Sequence, residues 1–600
     1  MKKELKNLYL KLLEIKGFKV RKPQYYLSNY IYKKLDDKEN IEIIEASTGI
    51  GKTLSYLIPI MISGKKAIIS TSTISLQNQI KNNEIKILNN IFQKKIKILI
   101  LKGMNNYICK LKVDNILFDN KYRTFDETIK VELNYIKNNS VSGEINEVKK
   151  LKIDNEVKNK ITASSDDCQK NNCNYFNECF VYNQRKKISK NHIIVVNHAL
   201  LVTDLINDLG FFKGHDLLLI DEAHNFIDIV LQSKKISLSI QKILKFITEF
   251  HQKVMKITPS EIFLLKEIDN LNALLNESLK NNNINNFKFY KTFNQNSSSI
   301  INYVEVNYLK EYSSEITYLN NLNVNIDEVL NNDHYQKLDK NTEDYYPTKI
   351  ENTLNLNELD KKVIMLSGTI AYQEYFLKNI FAINSYKLKK IKYNEDLTKQ
   401  IYFITNREST PKHDLIISKI IYLIKSVKGR SLLLFTSYES LNFYLHHIRA
   451  YFKTNNINIE TFSQTEDDKI KINEKFMEKK EAVLFGTSSF FEGIDYKNSQ
   501  IKFLFLDKIP FYNPSYPITK SLVGFLTKNN KNPFNHLYLP SAITKLRQII
   551  GRLIRSKSQK GIFYLNDSRI ISKSYGKLIM KSLAIEKFQF EYKDSIKFIK

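Results

Sequence analysis

The chain has no tryptophan, only ten prolines and sixteen glycines, and only four cysteines in 600 residues. Four cysteines are too few for a disulfide framework, and a chain of this length corresponds to about four domains of ~150 residues, each able to build its own core. No uninterrupted apolar run approaches the ~18 residues of a membrane-spanning helix. The N-terminus interleaves lysine and glutamate among leucines, which is not a signal-peptide pattern. We therefore expect a soluble, cytoplasmic protein with no membrane partner.

Acidic side chains are in the minority. Lysine and arginine number 92 against 63 aspartates and glutamates, which gives a formal net charge of +29. An excess of this size favours a polyanionic partner such as nucleic acid, with an anionic membrane surface as the competing partner. Lysine, asparagine and isoleucine are abundant throughout, as in proteins of AT-rich genomes, so the charge alone does not identify the partner. Apolar residues at 42% are enough for large cores and argue against wholesale disorder.

Short β-branched runs followed by helical periodicity predict parallel α/β sheets. One series lies within residues 41–366 and a second within residues 431–565. We therefore predict an α/β fold with two parallel α/β domains, the first interrupted by a cysteine-containing insertion and an Asn-rich helical insertion. The predicted bounds are 1–94, 191–225 and 359–385 for the first α/β domain, 95–190 for the cysteine insertion, 226–358 for the helical insertion and 386–600 for the second α/β domain.

A strand, the sequence ASTGIGKT and an apolar helix follow one another near the N-terminus, which is the context of a phosphate-binding P-loop. Its backbone amides and helix N-terminus can hold phosphate oxygens. Lys52 can reach the β and γ phosphates, and the Thr53 hydroxyl can bind Mg²⁺. Ala46 stands where the general motif has glycine, and a glycine turn without a ligand is the alternative. The predicted ATP-binding residues are Ala46, Ser47, Thr48, Gly49, Ile50, Gly51, Lys52 and Thr53.

A second apolar strand runs directly into Asp221-Glu222-Ala223-His224. Asp221 can hold Mg²⁺ through water, and Glu222 can orient and deprotonate the attacking water. The alternative is a solvated acidic turn, which the upstream P-loop disfavours. A lone histidine such as His224 is more often a hydrogen-bonded structural residue or an interdomain link than an acid or base.

A third candidate lies in the second α/β domain, where Gln548, Arg552 and Arg555 share one face of a predicted helix. Such a face can meet the γ-phosphate across a cleft, and hydrolysis would then depend on domain closure. The alternative is a basic surface helix.

These three elements in this order resemble a superfamily 2 helicase. Residues 69–80, 365–370, 432–441 and 486–495 are similar to its motifs Ia, III, IV and V. The resemblance covers nearly the whole chain outside the helical insertion and implies two RecA-like motor domains with an adenine-reading Gln24. It also implies coupling or DNA contacts at Ser367, Gly368, Thr369, Glu492, Gly493 and Asp495.

The cysteines narrow the resemblance to a subfamily of these helicases. Four and then five residues separate Cys168, Cys173 and Cys179, and Cys109 lies upstream. Four thiolates so spaced suit either Zn²⁺ or an iron–sulfur cluster, and the spacing does not choose between them. The segment LKGMNNYIC ending at Cys109, between the P-loop and the DEAH sequence, resembles the DinG and XPD helicases, and VVNHALL at 195–201 resembles DinG in particular. That resemblance implies a 4Fe-4S cluster on the four cysteines, with Zn²⁺ as the alternative.

The same resemblance implies an ATP-dependent DNA helicase that moves 5′ to 3′ along single-stranded DNA as a monomer, in repair or replication. Its expected substrates are tailed duplexes and DNA–RNA hybrids such as R-loops. Opening each base-pair step costs about 1.4 kcal/mol of stacking, so processive unwinding needs a motor. The alternative is an ATP-switched nucleic-acid-binding protein that remodels partners without separating strands.

Two further expectations concern stacking and nuclease activity. Tyr107, Phe490 and Phe491 are candidates for stacking on bases, although packing in a core is the commoner use of such side chains. Some DinG relatives carry an N-terminal exonuclease domain. Only about 23 residues precede Gln24, so nuclease activity is not expected.

Overall fold

The fold is described over most of the chain by a computed structural model. It describes residues 2–15, 18, 20–37, 40–47, 50–118, 127–145, 160–165, 168–280, 287–331, 335–338, 343–368, 370, 374–383, 385–391, 397–408, 412–467, 469–491, 501–554 and 559–599. The strands within these residues are β1 (Ile41–Ala46), β2 (Ala67–Thr71), β3 (Leu99–Ile100), β4 (Ile193–Asn197), β5 (Leu217–Asp221), β6 (Ile236–Ser237), β7 (Tyr335–Lys337), β8 (Asp344–Pro347), β9 (Lys362–Ser367), β10 (Lys387–Ile391), β11 (Ile401–Thr405), β12 (Arg430–Leu434), β13 (Glu460–Ser463), β14 (Ala482–Gly486), β15 (Ile501–Leu506) and β16 (Gly561–Leu565).

The first sheet has seven parallel strands in the order β10-β1-β9-β5-β2-β4-β3. Apolar cores cover both of its faces, and its central strands are nearly continuous apolar runs because a parallel sheet is buried on both sides. The helices of this domain are Lys2–Glu14, Lys22–Lys34, Lys52–Ser63, Ile74–Gln79, Ile85–Phe92, His198–Ile206, Phe226–Ser233 and Glu374–Ile380. The carboxyl ends of β1, β5 and β9 lie side by side, and this edge carries the candidate site.

The second sheet has six parallel strands in the order β11-β16-β15-β12-β14-β13. Its helices are His413–Val427, Tyr438–Thr454, Lys469–Glu478, Pro517–Lys528, Leu539–Leu553, Arg569–Ser572, Ser574–Ser582 and Asp594–Ile599. Leu522 and Phe525 pack into the core of the first domain beside Phe376 and Leu377, so the two domains share apolar contact as well as a cleft. The predicted fold class, two parallel α/β domains, is confirmed.

Three segments lie in the first domain although the predicted bounds put them elsewhere. β10 pairs with β1, so the first sheet extends past the predicted boundary at residue 385. β10 is an edge strand in which three of the five residues are lysines, and it therefore lacks the apolar run expected of a buried strand. β3 pairs with β4 at the opposite edge, and the helix Phe226–Ser233 packs under the sheet, so both insertions are shorter than predicted.

The two insertions are small helical units. The cysteine insertion contains the helices Lys110–Phe118 and Glu127–Asn139 around a small apolar core, and the helix Phe180–Arg185, which packs in a separate small cluster with Tyr107. The helical insertion packs four helices around its own core: Ile240–Ile257, Ile262–Lys280, Phe287–Asn307 and Leu309–Leu330. Its base is a three-stranded antiparallel sheet in the order β6-β8-β7. In the described part of the chain, no helix is both long and apolar enough to cross a membrane.

Candidate nucleotide-binding and motor site

The P-loop is held in shape by Gln24. Gly51 has φ +90° and caps the helix Lys52–Ser63, and a Cβ atom at this position would lie 2.6 Å from Gln24 Nε2. The Gln24 amide, only 3% exposed, donates a hydrogen bond to the Gly51 carbonyl at 3.3 Å. The left-handed φ of Gly51 therefore favours glycine at this position, and the Gln24 side chain would have to move to admit a Cβ atom. The adenine-reading role of Gln24 stays a prediction.

The P-loop lysine and the DEAH carboxylates meet at the edge of the sheet. Lys52 Nζ lies 2.7 Å from Glu222 Oε1, although 170 residues separate them in sequence. Asp221 Oδ1 accepts the Glu222 backbone N–H at 2.9 Å, and Asp221 Oδ2 accepts the Tyr56 hydroxyl at 3.1 Å. One ammonium and two carboxylates thus share a site beside a helix N-terminus, an arrangement suited to a metal-bound nucleoside triphosphate.

Burial sets the electrostatics of Asp221. The residue is 5% exposed, and loss of hydration raises the pKa of its carboxyl to about 6, a shift that Glu222 adds to and Lys52 opposes. Burial also raises the pKa of Tyr56, so its hydroxyl remains a proton donor at neutral pH. A divalent cation at Asp221 would favour the ionised carboxylate.

His224 connects the two motor domains. Its Nδ1 lies 2.8 Å from Ser367 Oγ at the end of β9, and its Nε2 lies 2.7 Å from Gln548 Nε2 in the second domain. With the Gln548 amide as donor, Nε2 accepts, so the ring proton is on Nδ1 and faces Ser367. Glu222 Oε2 is 3.5 Å from the same Nδ1. The histidine therefore touches one carboxylate of the DEAH sequence, motif III and the opposite domain.

The helix Leu539–Leu553 supplies the second domain's side of the cleft. Gln548 is buried against His224, as described. Arg552 Nε donates to the Phe491 carbonyl at 3.3 Å, which ties this guanidinium to the segment similar to motif V. The structure therefore brings Gln548 to the first domain, while the described contact of Arg552 lies within the second.

The remaining predicted residues divide into two groups. Ala46 ends β1, Ser47 N–H donates to the Ile391 carbonyl at 3.2 Å, Ile50 is buried, and Thr53 is the second residue of the helix Lys52–Ser63. Ser367 and Gly368 are buried at the end of β9. Seven predicted residues lie outside the described part of the chain: Thr48, Gly49, Thr369, Glu492, Gly493, Asp495 and Arg555.

The four cysteines surround one cavity. Cys109, Cys168, Cys173 and Cys179 form no disulfide with one another, and all four line a space of about 300 Å³. The Cys109 N–H donates to the Ile161 carbonyl at 2.8 Å, which fixes the first cysteine beside the segment that carries the others. Among the described residues, however, no group of three or more histidine, cysteine, aspartate or glutamate side chains is arranged to bind a metal ion.

The helical insertion completes the wall of this cysteine cavity. Lys253 and Glu315 line it, and they form an ion pair with 2.9 Å between Nζ and Oε2. The cysteine insertion and the helical insertion are therefore in contact where the thiols lie.

Sequence reasoning missed two groups of side chains. Tyr56 lies one helical turn beyond Lys52, and that i, i+4 spacing was a signal that it faces the same site. In the second domain, Gln464 joins the segments similar to motifs IV and V. Its Oε1 accepts the Thr487 N–H at 2.7 Å, and its Nε2 donates to the Tyr438 hydroxyl at 2.8 Å.

The three aromatic side chains predicted as candidates for base stacking are not exposed to solvent. Tyr107, Phe490 and Phe491 are 2%, 0% and 3% exposed. They pack in cores, so the commoner use of such side chains is confirmed for all three. Tyr438, by contrast, is 58% exposed beside Gln464.

Two family models match the chain. The DEAD/DEAH box helicase model matches residues 28–138, and the helicase C-terminal domain model matches residues 420–586. The ATP-dependent DNA helicase YoaA of Haemophilus influenzae is 24% identical over 95% of this chain and 94% of the relative. The 3′-5′ exonuclease DinG of Staphylococcus aureus is 26% identical over 96% of this chain and 71% of the relative.

Solved structures share the fold across nearly the full length. A structure named XPD helicase superposes with a TM-score of 0.56 at 15% identity, over 96% of this chain and 99% of that chain. S. tokodaii Xpd4 gives a TM-score of 0.54 at 13% identity, over 94% of this chain and 98% of that chain.

Proposed function

We propose that this chain is a DinG- and XPD-like superfamily 2 helicase, an ATP-dependent enzyme that unwinds DNA by moving 5′ to 3′ along a single strand. Tailed duplexes and the DNA–RNA hybrids of R-loops are the proposed substrates, in repair or replication, and a monomer is the proposed active form. The single observation that carries the proposal is the Lys52–Glu222–Asp221 site joined to the second motor domain through His224.

Hydrolysis follows from the geometry of that site. We assign Lys52 to the β and γ phosphates and Thr53 with Asp221 to Mg²⁺, which supplies charge neutralisation at the phosphates when bound. Glu222 accepts the proton of the attacking water, and its ion pair with Lys52 exchanges for contacts to phosphate and water. Arg552 and Arg555 are proposed to stabilise the transition-state charge from the second domain.

Coupling to movement follows from the His224 connection. The Glu222 carboxylate, the Ser367 hydroxyl and the Gln548 amide all contact one imidazole. A displacement of Glu222 during hydrolysis therefore changes a contact between the domains. Movement of the two domains relative to each other is what a translocating motor needs.

DNA is proposed to cross both sheets at their carboxyl ends. In the second domain the exposed Tyr438 and its partner Gln464 lie at this edge and offer a ring and an amide to a single strand. The net charge of +29 agrees with a phosphate-tracking surface. Contacts at Ser367, Gly368, Thr369, Glu492, Gly493 and Asp495 stay predictions.

An iron–sulfur cluster fits the cysteine cavity in donor type and number. Cys109, Cys168, Cys173 and Cys179 would hold a 4Fe-4S cluster, with Zn²⁺ as the alternative metal. Such a group supplies a covalent brace between the segment at Cys109 and the segment 168–179. The ion pair from Lys110 to Glu178, with 2.8 Å between Nζ and Oε2, already joins the same two segments.

One strand-displacement experiment tests the proposal. Protein purified without oxygen is assayed for iron and zinc and then mixed with ATP and duplexes that carry either a 5′ or a 3′ single-stranded tail. We expect iron, and unwinding of the 5′-tailed duplex only. ATP hydrolysis without unwinding of either duplex would favour the binding and remodelling alternative, and zinc without iron would assign the cysteines to Zn²⁺.

A further inference from the structure

The helix Leu539–Leu553 touches the first domain at two successive residues. Gln548 meets His224, and Arg547 Nη1 lies 3.9 Å from Glu45 Oε1. Glu45 is the last residue but one of β1 and stands directly before the P-loop. The two side chains are 25% and 14% exposed, so this ion pair is partly shielded from water.

Arg547 is anchored in its own domain. Its Nη2 donates to the Ser582 carbonyl at 2.9 Å, at the end of the helix Ser574–Ser582. A cation is favoured at a helix C-terminus because the terminal carbonyls carry partial negative charge. One arm of the guanidinium is thus fixed in the second domain while the other is directed at Glu45. A lysine has no planar fork and does not reproduce both contacts.

The Arg547–Glu45 contact closes a ring of interactions. Glu45 is the register partner of Ser367 in the β1–β9 pair. Ser367 Oγ lies 2.8 Å from His224 Nδ1, His224 Nε2 lies 2.7 Å from Gln548 Nε2, and Gln548 follows Arg547 in the chain. Two strand ends of the first domain are therefore connected to two neighbouring residues of one helix in the second.

We propose that the Arg547–Glu45 ion pair is a positioning contact that fixes the rotation of the helix Leu539–Leu553 over the P-loop. The helix is packed in the core of the second domain, so a contact at Arg547 in addition to the one at Gln548 sets how this edge of the domain is oriented on the first. Arg552 lies on the same helix, little more than one turn beyond Arg547. The ion pair therefore sets where the helix that carries Arg552 lies over the P-loop, while the Phe491 carbonyl holds the Arg552 guanidinium, and Arg547 itself does not contact the reacting phosphate.

The inference rests on ATP hydrolysis by this chain and predicts a kcat effect without a matching KM effect. Arg547→Glu places two carboxylates opposite each other. It should lower the kcat of ATP hydrolysis about tenfold and change the KM for ATP less than about twofold, because the P-loop contacts to ATP are untouched. Adding Glu45→Arg restores opposite charges and should return kcat to within about threefold of wild type.

The experiment measures ATP hydrolysis with and without single-stranded DNA for wild type, Arg547→Glu, Glu45→Arg and the double variant. Lys479→Glu is the matched control, since Lys479 pairs with Glu460 on the surface of the same domain, and it should match wild type. Circular dichroism and thermal melting show whether each variant is folded. If Arg547→Glu does not fold, Arg547→Gln replaces it, with an expected loss of kcat of about threefold.

Two results would overturn the inference: Arg547→Glu with wild-type kcat, or a double variant no faster than Arg547→Glu alone. If single-stranded DNA does not stimulate ATP hydrolysis by the wild type, that result counts against the proposed function. The rates without DNA still test the ion pair.

Discussion

The nucleotide edge and the cysteine cavity are both assembled from residues far apart in sequence, yet they differ in how completely the chain arranges them. At the nucleotide edge, Lys52 reaches Glu222 at 2.7 Å and Tyr56 reaches Asp221 at 3.1 Å. Asp221 ends the central strand β5, and Glu222 follows it. At the cavity, Cys173 and Cys179 each follow a single 3₁₀ turn, and the described residues include no metal-binding arrangement of side chains.

The nucleotide edge and the cysteine cavity differ because their side chains are positioned by different parts of the structure. Parallel strands place their carboxyl ends together by register, so the nucleotide site is fixed by a core that many residues share. The cysteine insertion has a small core, and two of its thiols follow single 3₁₀ turns. We therefore expect the nucleotide site to keep its shape without a ligand and the cysteine site to depend on the group it binds.

Removing the P-loop lysine should give the largest loss of ATP hydrolysis and leave the cysteine site intact. Lys52→Ala deletes the ammonium assigned to the β and γ phosphates, and ATP hydrolysis should fall by about 10³-fold or more. Metal content should stay at the wild-type level. Steady-state ATPase assays and metal analysis check both statements, with Lys65→Ala, which removes a half-buried partner of the exposed Asp36, as the control. A loss of metal in Lys52→Ala would contradict the independence of the two sites.

Removing one thiol should separate hydrolysis from unwinding. Cys173→Ser should lower iron content to about a tenth or less, because three thiolates hold the cluster poorly. Unwinding of a 5′-tailed duplex should fall by about a hundredfold, while ATP hydrolysis stays within about threefold of wild type. Met104→Leu is the control, because Met104 lines the same cavity and offers no thiol. Full iron content in Cys173→Ser would show that Cys173 is not a ligand.

His224→Ala should have an intermediate effect on the nucleotide edge. It removes hydrogen bonds to Ser367 and Gln548, each worth about 1 kcal/mol, so DNA-stimulated ATP hydrolysis should fall about thirtyfold. ATP binding, measured with a fluorescent analogue, should be nearly unchanged. His251→Ala in the helical insertion, where the ring faces Asp269, should behave as wild type. An equal loss of ATP affinity and rate would assign His224 to binding instead of coupling.

The smallest effect concerns the stability of the protein without nucleotide or metal. Burial raises the pKa of Asp221 from 3.8 to about 6. Above pH 6 the folded protein carries a buried charge that costs stability. That cost declines as the pH falls through 6, because the folded carboxyl takes up a proton, and it vanishes below 3.8, where the unfolded carboxyl is protonated too. Asp221→Asn should therefore raise the melting temperature at pH 8 and raise it less at pH 5. An equal gain at both pH values would contradict the shifted pKa.

Much of this organisation could be predicted from sequence because it is local. The strand before Ala46 and the strand before Asp221 are apolar runs that end in chemical motifs, and register then brings the motifs together. β10 was misassigned because three of its five residues are lysines, as an exposed sheet edge allows. The contact of Arg547 with Glu45 could not be predicted, since it depends on how two domains meet.

The central claim is that hydrolysis at Glu222 drives strand separation, and single-turnover unwinding of a 5′-tailed duplex tests it most directly. Wild type and Glu222→Gln are compared at the same ATP and DNA concentrations, after showing that both bind the tailed duplex. We predict that wild type displaces the strand and that Glu222→Gln, which lacks the proton acceptor, displaces none above the level without ATP. Strand displacement by Glu222→Gln at the wild-type rate would contradict the account.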